Sequence, residues 1–215
     1  MKRKLHFVVS AGPTREHLDP VRFLSNPSTG KMGFAVARAA ARRGHGVTLV
    51  SGPVSLPTPK GVERIDVVSA REMLAAVLSA LDGREAVFVS TAAVADWRPR
   101  RCARKKLKKG AMSGTLELVR NPDILKTLAR RKSASAVRLV GFAAETGDAV
   151  AEAVRKCREK KLEMIVANDV TEKGAGFGCD TNVVTLIWKD GSSKRLPLMS
   201  KTAVAGRIVR ECEVL

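Results

Sequence analysis

Residues 25–34 read Ser25-Asn-Pro-Ser-Thr-Gly-Lys-Met-Gly-Phe34, so hydroxyl-rich residues run directly into Gly30. From Gly30 to Arg43 the apolar residues recur at helical spacing, and this predicts a helix with Phe34, Ala37 and Ala41 on one face. The start of a helix offers free backbone N–H groups and the positive end of the helix dipole, which together favour an anion. Helix starts rich in Ser and Thr are also common without any ligand, so the segment alone is equally typical of an ordinary capped helix.

Two familiar phosphate-binding motifs are excluded by the residues around this helix start. A P-loop needs Ser or Thr after the lysine and a glycine five residues before Gly30, where this chain has Met32 and Ser25. A nicotinamide Rossmann domain places Gly-x-Gly-x-x-Gly directly after its first strand, whereas here Thr14 to Thr29 is predicted to form a long polar loop. We therefore expect a Rossmann-like topology without the dinucleotide fingerprint.

Apolar segments alternate with amphipathic segments along the chain, which is typical of an α/β fold with a parallel sheet and right-handed crossovers. Strands are predicted at Leu5 to Ser10, Val47 to Ser51, Val62 to Val68 (an edge or half-buried strand), Ala86 to Ser90, Thr115 to Arg120, Val137 to Phe142 and Leu162 to Ala167. After the first helix, helices are predicted from Ser69 to Leu81 with a capping box, from Asn121 as N-cap with Pro122 first, from about Asp148 to Lys161, and after Ser200. A turn at Asp190-Gly191 predicts a hairpin of Asn182 to Lys189 and Ser193 to Pro197.

In such sheets ligands bind beyond the carboxyl ends of the strands. We therefore expect the loops that follow four strands to share one crevice: those after Ser10, Ser51, Ser90 and Phe142.

The densest basic run of the chain extends from Arg98 to Lys109 and contains eight cations. A run of this kind is usually a solvated loop, but its place after a predicted strand favours a flap that closes over a triphosphate. Lys156 and Lys160 lie one turn apart on a predicted helix face. They suit an anion in the crevice and equally suit the negative end of their own helix dipole.

Composition narrows the class of protein. The 215 residues are 45% hydrophobic, which suits one domain spanning 1–215 with a real core. The apolar runs are too short to span a membrane, and the run after Met1-Lys-Arg-Lys is too short for a signal peptide, so no membrane partner is expected. Four cysteines without Cys-x-x-Cys spacing predict neither a zinc site nor a disulfide framework, and a cytoplasmic location is expected.

The net charge is +18, from 39 Lys and Arg against 21 Asp and Glu. Such a field favours polyanionic partners, either nucleic acid or small phosphorylated molecules. Aromatic residues make up 4% of the chain, with no Tyr, which leaves few platforms for stacking bases. Charge alone does not choose between the two classes of partner.

A set of short motifs follows in order over nearly the whole chain: Gly12-Pro-Thr-Arg-Glu, Leu18-Asp-Pro-Val-Arg, Ser25-Asn26, Gly30-Lys-Met-Gly, Val50-Ser-Gly-Pro, Ala92-Ala-Val-Ala-Asp96, Lys106-Leu-Lys-Lys, Asn121-Pro-Asp-Ile, Gly141-Phe-Ala-Ala-Glu-Thr and Ala167-Asn-Asp. Together they resemble the phosphopantothenate–cysteine ligases, also called phosphopantothenoylcysteine synthetases, of the bacterial CTP-using type.

This resemblance implies a two-step ligation in coenzyme A biosynthesis. The carboxylate of 4′-phosphopantothenate attacks the α-phosphate of CTP to give an acyl-cytidylate and pyrophosphate, and the amine of L-cysteine then displaces CMP. It also implies Mg²⁺ accompanying the triphosphate, with no protein ligands identified, and a homodimer whose later antiparallel strands pair between subunits. The hairpin around Asp190-Gly191 is a candidate for that element.

Site residues follow from the resemblance motif by motif. Asn26 and Lys106 take the catalytic roles, Asn26 near the pantothenate carbonyl and Lys106 on the triphosphate. The implied nucleotide-binding residues are Ser90, Thr91, Ala92, Asp96, Lys106, Pro122, Asp123, Ile124, Leu125, Phe142, Lys156 and Lys160. The implied residues for the acid substrate are Gly12, Asn26, Ser28, Thr29, Gly30 and Ala92.

Bacterial members are often fused behind a flavin-dependent decarboxylase, for which the residues before Leu5 leave no room. We therefore expect a free-standing ligase or an excised domain, and association with a separate decarboxylase stays open. The eukaryotic relatives use ATP, so an ATP-dependent ligase is one alternative. A basic nucleic-acid-binding module is another, although no helix-turn-helix, RNA-recognition or zinc-finger pattern accompanies the charge. A nicotinamide or flavin oxidoreductase is a third, and the missing glycine fingerprint counts against it.

Overall fold

An eight-stranded sheet forms the centre of the computed structural model, which describes residues 3–108, 114–131, 137–145, 149–169, 172, 174, 176 and 178–215. Its strands, from one edge to the other, are β13 (Ser193–Arg195), β12 (Val184–Trp188), β10 (Met164–Asp169), β9 (Val137–Glu145), β6 (Ala86–Ser90), β1 (His6–Ala11), β4 (Gly46–Ser51) and β5 (Glu63–Asp66). The strands from β10 to β5 are parallel, and β12 and β13 extend the sheet in antiparallel fashion. The predicted α/β class and the Rossmann-like parallel sheet are confirmed.

Five helices cover both faces of this sheet: α1 (Lys31–Arg42), α2 (Ala70–Leu81), α3 (Ile124–Arg130), α4 (Ala149–Glu159) and α5 (Lys201–Cys212). Because side chains alternate along a strand, Phe7 and Val9 of β1 join the core under α1 and α5, while Val8 joins the core under α2, α3 and α4. Burial on both faces explains why the central strands are continuously apolar. None of the described helices is both long enough and apolar enough to cross a membrane.

Several local predictions are confirmed. Ser69 caps α2 and forms the expected capping box with Glu72, and Ser200 caps α5 by accepting a hydrogen bond from the Ala203 N–H. The strand predicted at the edge is β5, the last strand of the sheet. Gly44 follows α1 with a φ of 86°, as a left-handed C-terminal cap requires.

Other local predictions are wrong. The segment from Thr14 to Thr29 is not one loop, because β2 (Arg15–His17) and β3 (Phe23–Ser25) pair in a small antiparallel hairpin. The strand predicted from Thr115 shortens to β8 (Leu118–Arg120), which pairs with β7 (Trp97–Pro99) outside the main sheet. Asn182 is not in the predicted hairpin, since β11 (Thr181–Asn182) pairs with β14 (Met199–Ser200).

The N-cap of α3 is also different from the prediction. The Asp123 side chain accepts from the Lys126 N–H, so Asp123 and not Asn121 caps the helix. Asn121 instead donates its side-chain amide to the Ala95 carbonyl, 2.8 Å away. Five predicted positions lie outside the described residues: Lys109, Thr146, Asp148, Ala175 and Phe177.

The close contact of α1 with the sheet at Gly33 can be tested by substitution. A Cβ at Gly33 would lie 2.3 Å from Thr91 Oγ1 and 2.5 Å from Ala11 Cβ, so Gly33→Ala is expected to lower the free energy of unfolding by about 1–3 kcal/mol. Urea denaturation followed by circular dichroism measures the change.

Gly206 in α5 provides the matched control. A Cβ there meets only Arg210 Nη1, at 3.9 Å, so Gly206→Ala is expected to raise stability by up to about 1 kcal/mol through helix propensity. Equal effects of the two substitutions would contradict the tight contact at Gly33.

Candidate active site

A crevice of about 430 Å³ opens at the carboxyl edge of the parallel strands. It is lined by the start of α1, the segment after β6, the start of α3, the end of β9 and two lysines at the carboxyl end of α4, one inside the helix and one directly after it. The lining residues are 26–33, 90–96, 121–125, 142–145, Lys156, Lys160, Asn168, Gly176, Asn182 and Lys201.

The amino end of α1 forms one wall of this crevice. Gly30 is its N-cap, in the left-handed region with a φ of 77°, and it makes no side-chain capping bond. A Cβ on Gly30 would lie 3.4 Å from the Gly12 backbone and 3.2 Å from Val54 Cγ1, so only glycine fits both the conformation and the space. The first turn of α1 is thus available to an anion, as its sequence predicts.

Hydrogen bonds fasten the segment after β6 to the loops after β1 and before α1. Thr91 Oγ1 donates to the Ser10 carbonyl at 2.6 Å, and the Ala93 N–H donates to the Gly12 carbonyl at 2.9 Å. Asn26 Nδ2 donates to the Ala93 carbonyl at 3.1 Å while the Asn26 side chain stays exposed. The crevice floor is therefore fixed by backbone contacts before any ligand binds.

Two lysines of the α4 region reach the crevice as members of ion pairs. Lys160 Nζ lies 2.8 Å from Asp123 Oδ2, and Lys156 Nζ pairs with Glu145. Burial raises the pKa of Asp123, but the hydrogen bonds from Lys160 and from the Lys126 N–H outweigh it, and the pKa falls below its ordinary value. Burial lowers the pKa of Lys156, and Glu145 outweighs that effect in the other direction. Both lysines are therefore held in ion pairs at the crevice.

Lys106 does not belong to the lining of the crevice. Its side chain is exposed, and the residue after it is fastened to the first hairpin. The Leu107 N–H donates to Asp19 Oδ2 at 3.1 Å, and the Leu107 carbonyl accepts from Arg22 Nη2 at 2.8 Å. Asp19 is fully buried and lies 2.6 Å from the same Arg22 nitrogen. The basic run is therefore docked, through Leu107, on the turn between β2 and β3.

Most of the predicted site residues are brought together by the fold. The crevice lining contains Asn26, Ser28, Thr29, Gly30, Ser90, Thr91, Ala92, Asp96, Pro122, Asp123, Ile124, Leu125, Phe142, Lys156 and Lys160. Gly12 lies directly behind Gly30 and supports it, and Lys106 lies outside the lining.

The prediction that the loop after Ser51 faces this crevice is wrong. An ideal Cβ at Gly52 would lie 1.8 Å from the Pro13 carbonyl oxygen, so this loop is pressed against the loop after β1. Val54 fills the space under Gly12 and Gly30, and residues 53–55 line a separate depression. The loop after β4 therefore supports the helix start from behind.

Sequence reasoning missed a group of lining residues at the far end of the crevice: Lys31, Asn168, Asn182 and Lys201. A signal for Lys201 was present in the predicted hairpin. The second strand of an antiparallel pair added to β10 runs parallel to β10, so a helix that begins after it starts at the carboxyl edge where the crevice lies.

The described residues contain no group of three or more His, Cys, Asp or Glu that could hold a metal ion. Two of the carboxylates that line the crevice, Asp123 and Glu145, are paired with lysines. The described part of the chain thus offers no ready-made cage for a divalent cation, which prefers several oxygen ligands.

Comparison with known proteins agrees with this architecture. The model of the family described as DFP, the DNA/pantothenate metabolism flavoprotein C-terminal domain, matches residues 2–215. The coenzyme A biosynthesis bifunctional protein CoaBC of Bacillus subtilis (strain 168) is 52% identical over 211 residues, which are 98% of this chain and 51% of that protein. The chain thus spans about half the length of the curated relatives it matches.

Two solved structures share the fold. The crystal structure of the C-terminal domain of a coenzyme A biosynthesis bifunctional protein CoaBC has a TM-score of 0.82 and 42% identity, covering 98% of this chain and 94% of that one. A Cab2 mutant in complex with phosphopantothenate-cysteine has a TM-score of 0.76 over 99% of this chain and 88% of that one. Its 17% identity shows a common fold alone.

The docking of Leu107 on Asp19 predicts an acid dependence. The guanidinium of Arg22, opposed by burial and helped by backbone N–H groups, holds the pKa of Asp19 well below its ordinary value. A carboxyl with a depressed pKa stabilises the fold above its unfolded pKa of about 3.9 and loses that contribution as the pH falls. Asp19→Asn is therefore expected to lower stability at pH 7, with a smaller difference from the parent protein below about pH 4.

Urea denaturation at both pH values measures this difference, and Asp82→Asn at the exposed end of α2 is the control. Trypsin cleavage in the basic run should also be faster in Asp19→Asn, since Leu107 loses its acceptor. A stability difference that does not change with pH would contradict the ionised contact.

Proposed function

This chain belongs to the family of the DNA/pantothenate metabolism flavoprotein C-terminal domain, and from that premise we propose that it is a phosphopantothenate–cysteine ligase of coenzyme A biosynthesis. Its substrates are 4′-phosphopantothenate, CTP and L-cysteine, and its product is 4′-phosphopantothenoyl-L-cysteine. The observation that carries the proposal is one crevice that joins a helix start without a side-chain cap to two lysines held in ion pairs. Substrates with several phosphates need this kind of surface.

In the first half-reaction a carboxylate oxygen of 4′-phosphopantothenate attacks the α-phosphorus of CTP. The bond to the bridging oxygen breaks, pyrophosphate leaves with the electron pair, and an acyl-cytidylate remains. Such a step depends on positioning and on cations that neutralise the leaving pyrophosphate more than on an enzyme nucleophile. We assign the cationic role to Lys106, whose neighbour Leu107 is docked on Asp19 and Arg22.

In the second half-reaction the amine of L-cysteine attacks the acyl carbon. The bond to the phosphate oxygen breaks, CMP leaves, and the nitrogen loses a proton to solvent. We assign a role in this step to Asn26, because its side chain lines the crevice and is held by the Ala93 carbonyl while it remains exposed. Its amide group both donates and accepts hydrogen bonds, as a developing tetrahedral centre requires.

The remaining crevice residues bind the two substrates. We assign the nucleotide to Ser90, Thr91, Ala92, Asp96, the start of α3 (Pro122, Asp123, Ile124, Leu125), Phe142, Lys156 and Lys160. We assign the acid substrate to the Gly12–Gly30 contact and to Ser28, Thr29 and Ala92. Mg²⁺ would enter as a chelate of the triphosphate and offset its charge, since the described residues offer no cluster of metal ligands.

The choice of CTP over ATP, the homodimer and the cytoplasmic location are parts of the same proposal. The CTP assignment is supported by the 52% identity to a bacterial relative. That relative is named as bifunctional and this chain matches about half of it, so association with a phosphopantothenoylcysteine decarboxylase is also part of the proposal.

Pyrophosphate release with 4′-phosphopantothenate and Mg²⁺ tests the function directly, with CTP and ATP compared in the presence and absence of L-cysteine. Release with CTP that is sustained only with cysteine is expected, because cysteine must clear the acyl-cytidylate. Pyrophosphate release with ATP but not with CTP would support the ligase activity and contradict the assignment of CTP as the nucleotide. If folded protein released no pyrophosphate with either nucleotide, the proposed function would be wrong.

The two half-reactions should respond differently to two substitutions. Lys106→Gln is expected to reduce pyrophosphate release by about 100-fold or more, because a transition-state cation is lost. Asn26→Asp should leave the first burst of pyrophosphate intact and slow amide formation by about 100-fold, so that acyl-cytidylate accumulates. Rapid quench with labelled CTP separates the two effects. Lys105→Gln removes a neighbouring charge of the same run as a control, and equal losses in Lys105→Gln and Lys106→Gln would contradict the assigned role.

A further inference from the structure

Thr14 is a fully buried residue between β1 and β2 that contacts the edges of the crevice without belonging to its lining. Its hydroxyl oxygen accepts a hydrogen bond from the Ala95 N–H at 3.0 Å, and its backbone N–H donates to the Ala93 carbonyl at 3.4 Å. On its other side, the Thr14 carbonyl accepts from Ser25 Oγ at 2.8 Å. Thr14 therefore connects the segment after β6 to the residue that directly precedes Asn26.

The position of Asn26 depends on the same contacts. Its Nδ2 donates to the Ala93 carbonyl at 3.1 Å and lies 3.4 Å from the Val94 carbonyl. Its backbone is held one residue earlier, by the hydrogen bond from Ser25 to Thr14. An exposed side chain such as that of Asn26 keeps its rotamer freedom unless specific contacts restrict it. Both contacts that restrict Asn26 here lead back to Thr14.

The hydroxyl of Thr14 holds the segment after β6 through a buried hydrogen bond. The Ala95 N–H that it accepts is buried, and a buried N–H that loses its acceptor is not compensated for its lost hydration. Removal of the hydroxyl would therefore favour a shift of residues 93–95 that gives this N–H another acceptor. Such a shift would move the Ala93 carbonyl and the Asn26 amide that is bonded to it.

We propose that Thr14 is a positioning residue for amide formation, because it holds the Ala93 carbonyl and Ser25 where they fix the Asn26 amide. The inference rests on the proposed function, which assigns Asn26 to the second half-reaction. A catalytic group displaced by about 1 Å can lose about 100-fold in rate, so the contacts of a buried neighbour bear directly on the chemical step. Thr14 acts on this step through Asn26 and not by touching the substrate.

Two substitutions at Thr14 separate the hydroxyl from the packing. Thr14→Val keeps the shape of the side chain and removes the acceptor, whereas Thr14→Ser keeps the acceptor and removes a methyl group. We expect Thr14→Val to leave the first burst of pyrophosphate intact and to slow amide formation by about tenfold or more, so that acyl-cytidylate accumulates. Thr14→Ser should stay within about threefold of the parent rate. The opposite order, with Thr14→Ser the slower variant, would indicate packing alone and overturn the proposal.

Thr48→Val is the matched control. Thr48 is a buried threonine of β4, its hydroxyl is hydrogen-bonded to His6 and Glu63, and it lies outside the crevice lining. An equal loss of amide formation in Thr48→Val would attribute the effect to general destabilisation and overturn the positioning role. If Thr14→Val does not fold, Ser25→Ala decides the question, because it removes the bond to the Thr14 carbonyl at an exposed residue. It should also slow amide formation and spare the burst.

A double substitution tests whether Thr14 acts through Asn26. In the Asn26→Asp background, Thr14→Val is expected to slow amide formation by less than about twofold, since the group that it positions is already absent. The full tenfold loss in both backgrounds would overturn the proposal. A raised KM for CTP with unchanged amide formation would overturn it as well, because Thr14 would then act on the nucleotide through Ala95.

Hydrogen exchange of the protein without substrates distinguishes failure of this inference from failure of the ligase proposal. Measured by mass spectrometry, amide exchange at residues 93–95 should be about tenfold faster in Thr14→Val than in the parent protein and unchanged in Thr48→Val. That result supports the hold of Thr14 on the crevice segment even if no ligation occurs. Ligation by the parent protein, with amide formation unchanged in folded Thr14→Val, would keep the function and overturn the positioning role.

Discussion

The close approach of backbone segments at the carboxyl edge of β1 is the constraint on which the rest of the site depends. Gly33 in the first turn of α1 leaves no room for a Cβ against Ala11 and Thr91, and Gly30 lies against the backbone of Gly12. These contacts bring the amino end of α1 directly onto the strand ends. The N–H groups and the dipole of α1 are thereby aimed into the crevice, where they act on an anion at short range. A side chain at Gly33 would push the helix away from the strand ends.

The crevice can bind anions although the net positive charge of its lining is small. Among the residues that the structure describes, its lining contains four lysines and three carboxylates, so most of that charge is balanced before a substrate arrives. The carboxylate partners hold Lys156 and Lys160 in position, and they also compete with the substrate for the same ammonium groups. The net charge of +18 therefore resides mainly outside the crevice, where it steers polyanions toward the protein and does not by itself hold them in place.

The sequence predicted the parts of the fold that depend on local periodicity and capping. The central strands, α1, the capping box at Ser69 and the cap at Ser200 follow from residues that are neighbours in the chain. The errors occur where a distant contact decides the local structure. Asn121 is a good N-cap by type, yet its amide is taken by the Ala95 carbonyl, and Asp123 caps α3 instead. The loop after Ser51 follows a buried strand, yet Gly52 and Val54 are drawn under the loop after β1.

The same distinction explains which site residues could be predicted. The motifs assign each residue a role by resemblance to the family, and most of the residues assigned in this way lie in one crevice. Lys106 shows the limit of that reasoning, because the exposed side chain is positioned through its neighbour Leu107, which docks on the buried Asp19. Asp19 belongs to the hairpin formed by β2 and β3, a segment that the sequence indicated only as a polar loop. A buried carboxylate in a segment predicted to be solvated is visible only when tertiary contacts are known. The position of the cation proposed for the first half-reaction thus depends on an acid that no property of the basic run itself reveals.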